Sequence, residues 1–211
     1  MHFRVHPLIK YLTFKTEIMA NICDTTYQML GSKKSIESLW KVLSEMEVNT
    51  KNLWLGDIAE HCGIDYKELK YDVRGEIYFA AYSDLEQEDY MMEIKTSSKW
   101  TGCHEIMRAI IEKAGGEDIS VSYMEVEPGC EIYVIHDEQN LLPYECYVTA
   151  SGIFEEYEGE YNSIDSAIET WVKITKNERL ADNDRMLELI EENNDSEDCD
   201  NYFSIHPFEY V

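Results

Sequence analysis

Apolar residues alternate between two periods along much of this chain, and the changes of period mark its elements. Residues 21–29 (NICDTTYQM) place Ile22, Thr25 and Tyr27 in an imperfect alternation that predicts a strand. Gly31-Ser32 then opens a helix in which Ile36, Leu39, Trp40, Leu43 and Met46 keep the i, i+3, i+4, i+7 spacing of one buried stripe. A shorter helix around Leu55, Ile58, Ala59 and Cys62 stops at Gly63, a natural residue for the position after a helix end, and reads as an insertion.

Residues 73–83 (VRGEIYFAAYS) and 90–97 (YMMEIKTS) are β-rich runs joined by the acidic segment DLEQED, which predicts an antiparallel hairpin with a charged tip. A helix from Gly102 to Ala114 turns Cys103, Ile106, Met107, Ile110 and Ile111 inward and ends at Gly115-Gly116. The strand DISVSYMEVE follows, with Ile119, Val121 and Tyr123 alternating against Ser120, Ser122 and Met124. The order β-α-β-β-α-β predicts an α+β protein with a ferredoxin-like core, two helices covering one face of a four-stranded antiparallel sheet.

The pattern continues beyond that core. The turn EPG leads into CEIYVIHD, further strands are expected at ECYVTA and IFEEYEGEY, and a helix from Ser163 to Thr175 buries Ile164, Ile168, Trp171 and Val172. Another helix carries Leu180, Leu187 and Ile190, and the final YFSIHPFEY reads as an edge strand because Pro207 has no N–H for a ladder. Three segments result: a basic N-terminal extension (1–18), a ferredoxin-like core (19–127) and an acidic α+β extension packed on the same body (128–211). Arg4, Lys10 and Lys15 face only Glu17 in the first segment, and Met19 is a second possible start. Arg4, His6, Pro7 and Lys10 interrupt any signal-peptide core there.

Charge changes the picture most. The 211 residues hold 43 acidic against 18 basic side chains, a net charge of -25 at pH 7. With 44% apolar and 12% aromatic residues the chain can nevertheless bury a core, unlike a disordered polyanion. Self-repulsion on this scale opposes compaction, so either the environment is salty or the field has a use. No apolar run approaches the length of a membrane span, and an anionic surface is repelled by anionic headgroups. Six scattered cysteines (Cys23, Cys62, Cys103, Cys130, Cys146, Cys199) form no CxxC pair and read as reduced residues of a cytoplasmic protein. The dispersed histidines give no metal-ligand spacing, and no metal or cofactor is expected.

Met19-Ala20-Asn21 with Cys23, Arg74-Gly75, Trp100 and the run Tyr123 to Gly129 (YMEVEPG) together resemble the YubB-type ferredoxin-like proteins of bacterial plasmids, phages and other mobile elements. Members often show Asn-Asp where this chain has His136-Asp137. The resemblance runs from about Met19 to the C-terminus and implies fold and genetic context rather than chemistry.

The acidic segments are the first candidate partner-binding residues: Asp84, Glu86, Glu88 and Asp89 at the hairpin tip, Glu155, Glu156, Glu158 and Glu160 on one strand, and Glu191, Glu192, Asp195, Glu197, Asp198 and Asp200 in the run from Glu188. Charge runs are ordinarily solvated surface. Glu156, Glu158 and Glu160, however, recur every second residue, which on a strand sets three carboxylates on one face about 6–7 Å apart. Such a row can stand in for phosphates in the basic channel of a nuclease or CRISPR effector, so the chain is expected to inhibit a host nucleic-acid-handling defence protein by mimicry. An acidic adaptor of plasmid or phage maintenance is the alternative.

An enzyme reading rests on Asp57, Glu60, His61 and Asp65 near a helix end, a grouping that chance supplies easily in so acidic a chain. Cys103 and His104 are adjacent and point to different sides of a helix, with Cys103 on the apolar stripe. Tyr78, Tyr82, Tyr123 and Tyr133 offer a sheet platform for nucleic acid, but Lys70, Arg74, Lys95 and Lys99 make only a modest basic patch. These tyrosines are expected to pack the sheet against the C-terminal helices.

Overall fold

The computed structural model describes residues 8–9, 21–49, 52–84, 89–155, 157–194 and 201–211. The chain is a mixed α+β protein that divides into two compact units, Met1–Leu142 and Pro143–Val211. The expected basic extension lies outside the described residues except for Leu8 and Ile9.

In the first unit the strands are β1 (Leu8–Ile9), β2 (Ile22–Ser32), β3 (Leu53–Trp54), β4 (Gly75–Asp84), β5 (Asp89–Lys99), β6 (Ser120–Glu127) and β7 (Ile132–His136). They run in the spatial order β1-β4-β5-β2-β6-β7, with β3 also on β4, and every pairing is antiparallel. The helices are α1 (Lys33–Asn49), α2 (Leu55–His61), α3 (Tyr66–Leu69) and α4 (His104–Lys113). The expected hairpin is β4–β5, and residues 85–88 of its tip lie outside the described residues.

β2 sits centrally, Tyr27 opposing Ile94 of β5 on one side and Tyr123 of β6 on the other. Its odd-numbered residues Cys23, Thr25, Tyr27 and Met29 are buried. Tyr27 and Met29 share one core with Ile36, Leu39 and Leu43 of α1 and Ile106 and Ile110 of α4. Each such fully buried aliphatic side chain contributes on the order of 1.5–3 kcal/mol.

The helix α1 begins later than the Gly31-Ser32 signal suggests, because both residues still pair in β2. Ser32 then accepts the Ser35 N–H on its hydroxyl at 3.4 Å, and the Asp118 carboxylate accepts the Ser32 N–H at 3.1 Å and the Ser35 hydroxyl. The Ser35 hydroxyl foremost, with the Ser32 hydroxyl and N–H, holds the Asp118 carboxyl down to about 2. At its far end α4 hands over to Gly115, whose φ of +87° suits a residue without Cβ.

The second unit is a three-stranded antiparallel sheet of β8 (Cys146–Ser151), β9 (Tyr157–Tyr161) and β10 (Tyr202–Pro207), ordered β10-β8-β9, with helices α5 (Ile164–Thr175) and α6 (Asn183–Asn194). Its own core joins Val148, Phe154, Ile168, Trp171, Ile190 and Phe203. Ser163 caps α5, accepting the Ser166 N–H at 3.1 Å. β10 is an edge strand, as Pro207 at its end requires. Leu180 precedes α6 and is 37% exposed, so it does not extend that helix's stripe, which Met186 and Ile190 make instead.

Candidate functional site

Charge is distributed unequally between the two units. Residues 143–211 hold 18 acidic and 4 basic side chains, whereas residues 1–142 hold 25 acidic and 14 basic. Both arginines of the second unit are engaged locally, Arg179 with Asp165 at 2.7 Å and Arg185 with Glu188 at 2.5 Å. A third of the chain therefore carries more than half of the net charge.

Within this unit Glu158 and Glu160 are exposed on β9, opposite Thr149 and Tyr147 of β8. The intervening positions, Tyr157, Gly159 and Tyr161, pair with the core-facing Ala150, Val148 and Cys146. The two carboxylates thus share the face turned from that core, about 6–7 Å apart along the strand. Glu156, between Glu155 and the strand, lies outside the described residues. Glu155 is not on the strand as expected: residues Gly152–Phe154 form a 3-10 turn that buries Phe154, and Glu155 follows with a φ of 61° before the strand starts at Tyr157. Glu191 and Glu192 are exposed on the last turn of α6, while Asp195, Glu197, Asp198 and Asp200 lie outside the described residues. At the β4–β5 tip Asp89 is exposed and pairs with Ser32, Asp84 ends β4, and Glu86 and Glu88 are outside the described residues.

The residues of the enzyme reading have separate local tasks. Asp65 caps α3 by accepting the Glu68 N–H at 3.0 Å. Glu60 accepts the Tyr66 hydroxyl at 3.2 Å and lies 3.7 Å from Lys67. His61 faces Glu45 of α1 at 3.6 Å, and Asp57 is exposed in the first turn of α2. Among the described residues no group of three or more His, Cys, Asp or Glu side chains is arranged to hold a metal ion.

Two of the four sheet tyrosines pack within the first unit. Tyr82 and Tyr123 lie against the first unit's own core, Tyr82 with Trp40 at 5.1 Å between ring centroids. Tyr133 is buried on β7, and Tyr78 sits at a register shift of β4 between Ile77 and Phe79. Arg74 is held by Asp72, whose carboxyl it lowers, and covers the Trp100 ring at 4.6 Å. Lys95 lies 3.6 Å from Glu93.

A polar cluster that the sequence reading passed over surrounds Glu125. This side chain points to the helix-covered face of β6 and is 8% exposed. His104 Nε2, at the start of α4, lies 2.9 Å from Glu125 Oε1; the Gly102 N–H donates to the same oxygen, and the Cys23 thiol approaches at 3.9 Å. His104 Nδ1 is 3.2 Å from the Tyr27 hydroxyl. The His104 ring stacks on Tyr123 at 3.8 Å, and Tyr123 in turn stacks on His136 at 5.1 Å. Burial pushes the Glu125 carboxyl up, but His104, the Gly102 N–H and the Cys23 thiol together bring it below its ordinary value.

Burial drives the Tyr27 hydroxyl well above its usual range and the Cys23 thiol up to about 12. A Cβ at position 102 would collide with Glu125 Oε1 and stand 2.7 Å from His104 Cε1, so any larger residue there must displace one or both of these side chains. The signal was present in the alternation: if Val121 and Tyr123 face inward, Glu125 does too, and a carboxylate at an inward strand position requires partners.

Beside this cluster a cleft of about 380 Å³ opens between Tyr71 and α4, lined by His104, Glu105, Arg108, Ala109 and Glu112. A second of about 340 Å³ lies on the other side of Arg108, towards Ile119, Val121 and His136.

No helix among the described residues is long and apolar enough to cross a membrane. No protein-family model matches the chain, and no curated protein matches it. A crystal structure of an unknown protein from Galdieria sulphuraria is similar over 88% of this chain and 98% of its own, at 8% identity and a TM-score of 0.28.

Proposed function

We propose that this protein acts by binding, and that its second unit presents carboxylates to a basic partner: a nuclease or CRISPR effector of the host's defence, whose phosphate-binding channel they occupy. One observation carries the reading. A folded unit with its own core bears 18 acidic against 4 basic side chains, and Glu158 and Glu160 stand exposed on one face of its edge strand. A folded body presents its charges without the ordering cost that a disordered acidic tail pays on binding. Steering between such a surface and a basic channel accelerates association and weakens as salt rises.

A ferredoxin-like core and kinship with the YubB-type proteins of mobile elements complete the proposal. The spatial order β4-β5-β2-β6, all antiparallel, with α1 following β2 and α4 following β5, supports the former. The latter rests on the sequence resemblance, and Asn21, Cys23, Arg74, Trp100 and Glu125 lie at one end of this sheet. Trp100 N–H donates to the Asn21 carbonyl at 3.3 Å, and Cys23 lies against Glu125.

The test is capture of partners from host lysate at low and high salt, followed by competition with DNA or RNA for the captured protein. A nuclease or effector retained at low salt, released at high salt and displaced by nucleic acid is the expected result. Glu158→Lys with Glu160→Lys should abolish the capture while leaving the circular dichroism spectrum unchanged. Undiminished capture by that double variant overturns the role of β9.

A further inference from the structure

Among the described residues the first unit contains a guanidinium with no ion-pair partner, which the acidic surface does not explain. Of the four described arginines, Arg74, Arg179 and Arg185 each meet a carboxylate within ion-pair distance, and Arg108 meets none. In a chain with 25 more acidic than basic side chains, an arginine left without a carboxylate is unexpected by numbers alone. Arg108 stands one turn after His104 on the same side of α4, and it lines both clefts.

Around this guanidinium the surfaces are of two kinds. Aromatic rings contribute part of the lining: Tyr71 and His104 both border the first cleft, and the His104 ring continues into a stack with Tyr123 and His136. Arg108 is close enough to the Tyr123 hydroxyl for its charge to oppose the upward push that burial and Glu125 exert there. Carboxylates form the rim, Glu105 and Glu112 in the first cleft and Glu112, Glu117 and Glu138 in the second. A single guanidinium ringed by acidic groups accepts one compact oxyanion in a bidentate fork, while the rim repels a chain of phosphates. The cleft's size is within the range that small molecules occupy.

We infer that the cleft between Tyr71 and α4 binds a small aromatic oxyanion, its carboxylate or phosphate on Arg108 and its planar body between Tyr71 and His104. This site belongs to the first unit and does not depend on the acidic surface of the second. Glu125 at 2.9 Å from Nε2 and the Tyr27 hydroxyl at 3.2 Å from Nδ1 favour one orientation of the His104 ring before binding. His104 Nδ1 and Nε2 already face protein groups, so the ring acts as a stacking surface, and the charge-reading task falls to Arg108.

The experiment is a titration of the full-length protein, followed by NMR of its histidine ring and arginine side-chain signals, with four probes: adenosine monophosphate, 4-hydroxybenzoate, inorganic phosphate and a single-stranded oligonucleotide. At least one of the two aromatic oxyanions should shift the His104 and Arg108 signals, with millimolar or tighter affinity. Arg108→Met, an exposed substitution that leaves the core intact, should weaken that binding about tenfold or more through loss of a charge-assisted pair. Tyr71→Leu should weaken the aromatic probes and leave the weaker binding of inorganic phosphate unchanged. Which aromatic probe binds distinguishes a phosphate ester from a carboxylate. The inference is overturned if neither aromatic oxyanion moves these signals, if Arg108→Met binds as the wild type does, if phosphate alone binds as tightly as the aromatic probes, or if the oligonucleotide binds best.

Discussion

Replacing Glu125 with Gln keeps the shape of the side chain and removes its charge. In the native protein one carboxylate oxygen faces His104 Nε2 at 2.9 Å and accepts the Gly102 N–H. A neutral amide weakens both contacts from charge-assisted to ordinary strength, each worth about 1 kcal/mol less. The His104 side chain is 30% exposed, so water compensates part of its loss. We therefore expect a cost of about 2 kcal/mol in the first unit, which at about 2 kcal/mol per molar urea lowers its unfolding midpoint by about 1 M.

The assay is urea unfolding read by hydrogen-exchange mass spectrometry on peptides spanning residues 104–127, which report the first unit alone. The pH dependence adds a second test. Glu125 is held below its ordinary value of 4.5 in the fold, so its contribution is complete above that value and is lost as pH falls through the lower folded value. The gap between wild type and variant should close on acidification. Equal midpoints at pH 7, or a gap that widens in acid, refute the assignment.

Three further outcomes follow from the same structure. Trp171→Ala should destabilise the second unit by about 3–5 kcal/mol in thermal or urea unfolding, since Trp171 is fully buried; Trp171→Phe should cost less, because the indole N–H it removes has no partner among the described residues. Burial pushes the thiols of Cys23 and Cys103 up to about 12 and of Cys146 up to about 11, so at pH 8 maleimide mass spectrometry should find the first two about a thousandfold and Cys146 about a hundredfold slower than an ordinary thiol, with exposed Cys130 modified first among the described cysteines. Asp118 should titrate near pH 2 in a carboxyl-detected NMR experiment, and Ser35→Ala should move its midpoint upward.

Helix positions were the most legible part of this chain because their stripes are long. Ile36, Leu39, Leu43 and Met46 in α1 and Ile106, Met107, Ile110 and Ile111 in α4 are buried as their spacing predicts. Strand faces were harder to read. Ile77 and Ala80 both face the core because the register shifts around Tyr78, and no alternation rule foresees a bulge. Glu155 left the predicted strand for a similar reason: burying Phe154 required a turn where a continuous strand was expected. The cluster around Glu125 escaped notice because its members are separated in sequence, Cys23 from Glu125 by 102 positions. Only the three-dimensional pairing of β2 with β6 brings them together.

The central place of β2 also has a kinetic consequence. It is made before either of its partners, β5 (Asp89–Lys99) and β6 (Ser120–Glu127). At about 5–20 residues per second, ribosomal synthesis leaves this strand without its ladder for several seconds or longer, with Tyr27, Met29 and Leu30 open to other chains. The β4–β5 hairpin can close early, but the sheet becomes continuous only when a segment nearly a hundred residues downstream arrives, which predicts slow, non-local folding. During that interval mutual repulsion between acidic nascent chains opposes strand-to-strand association, so the same charge that shapes the finished surface also protects the unfinished one.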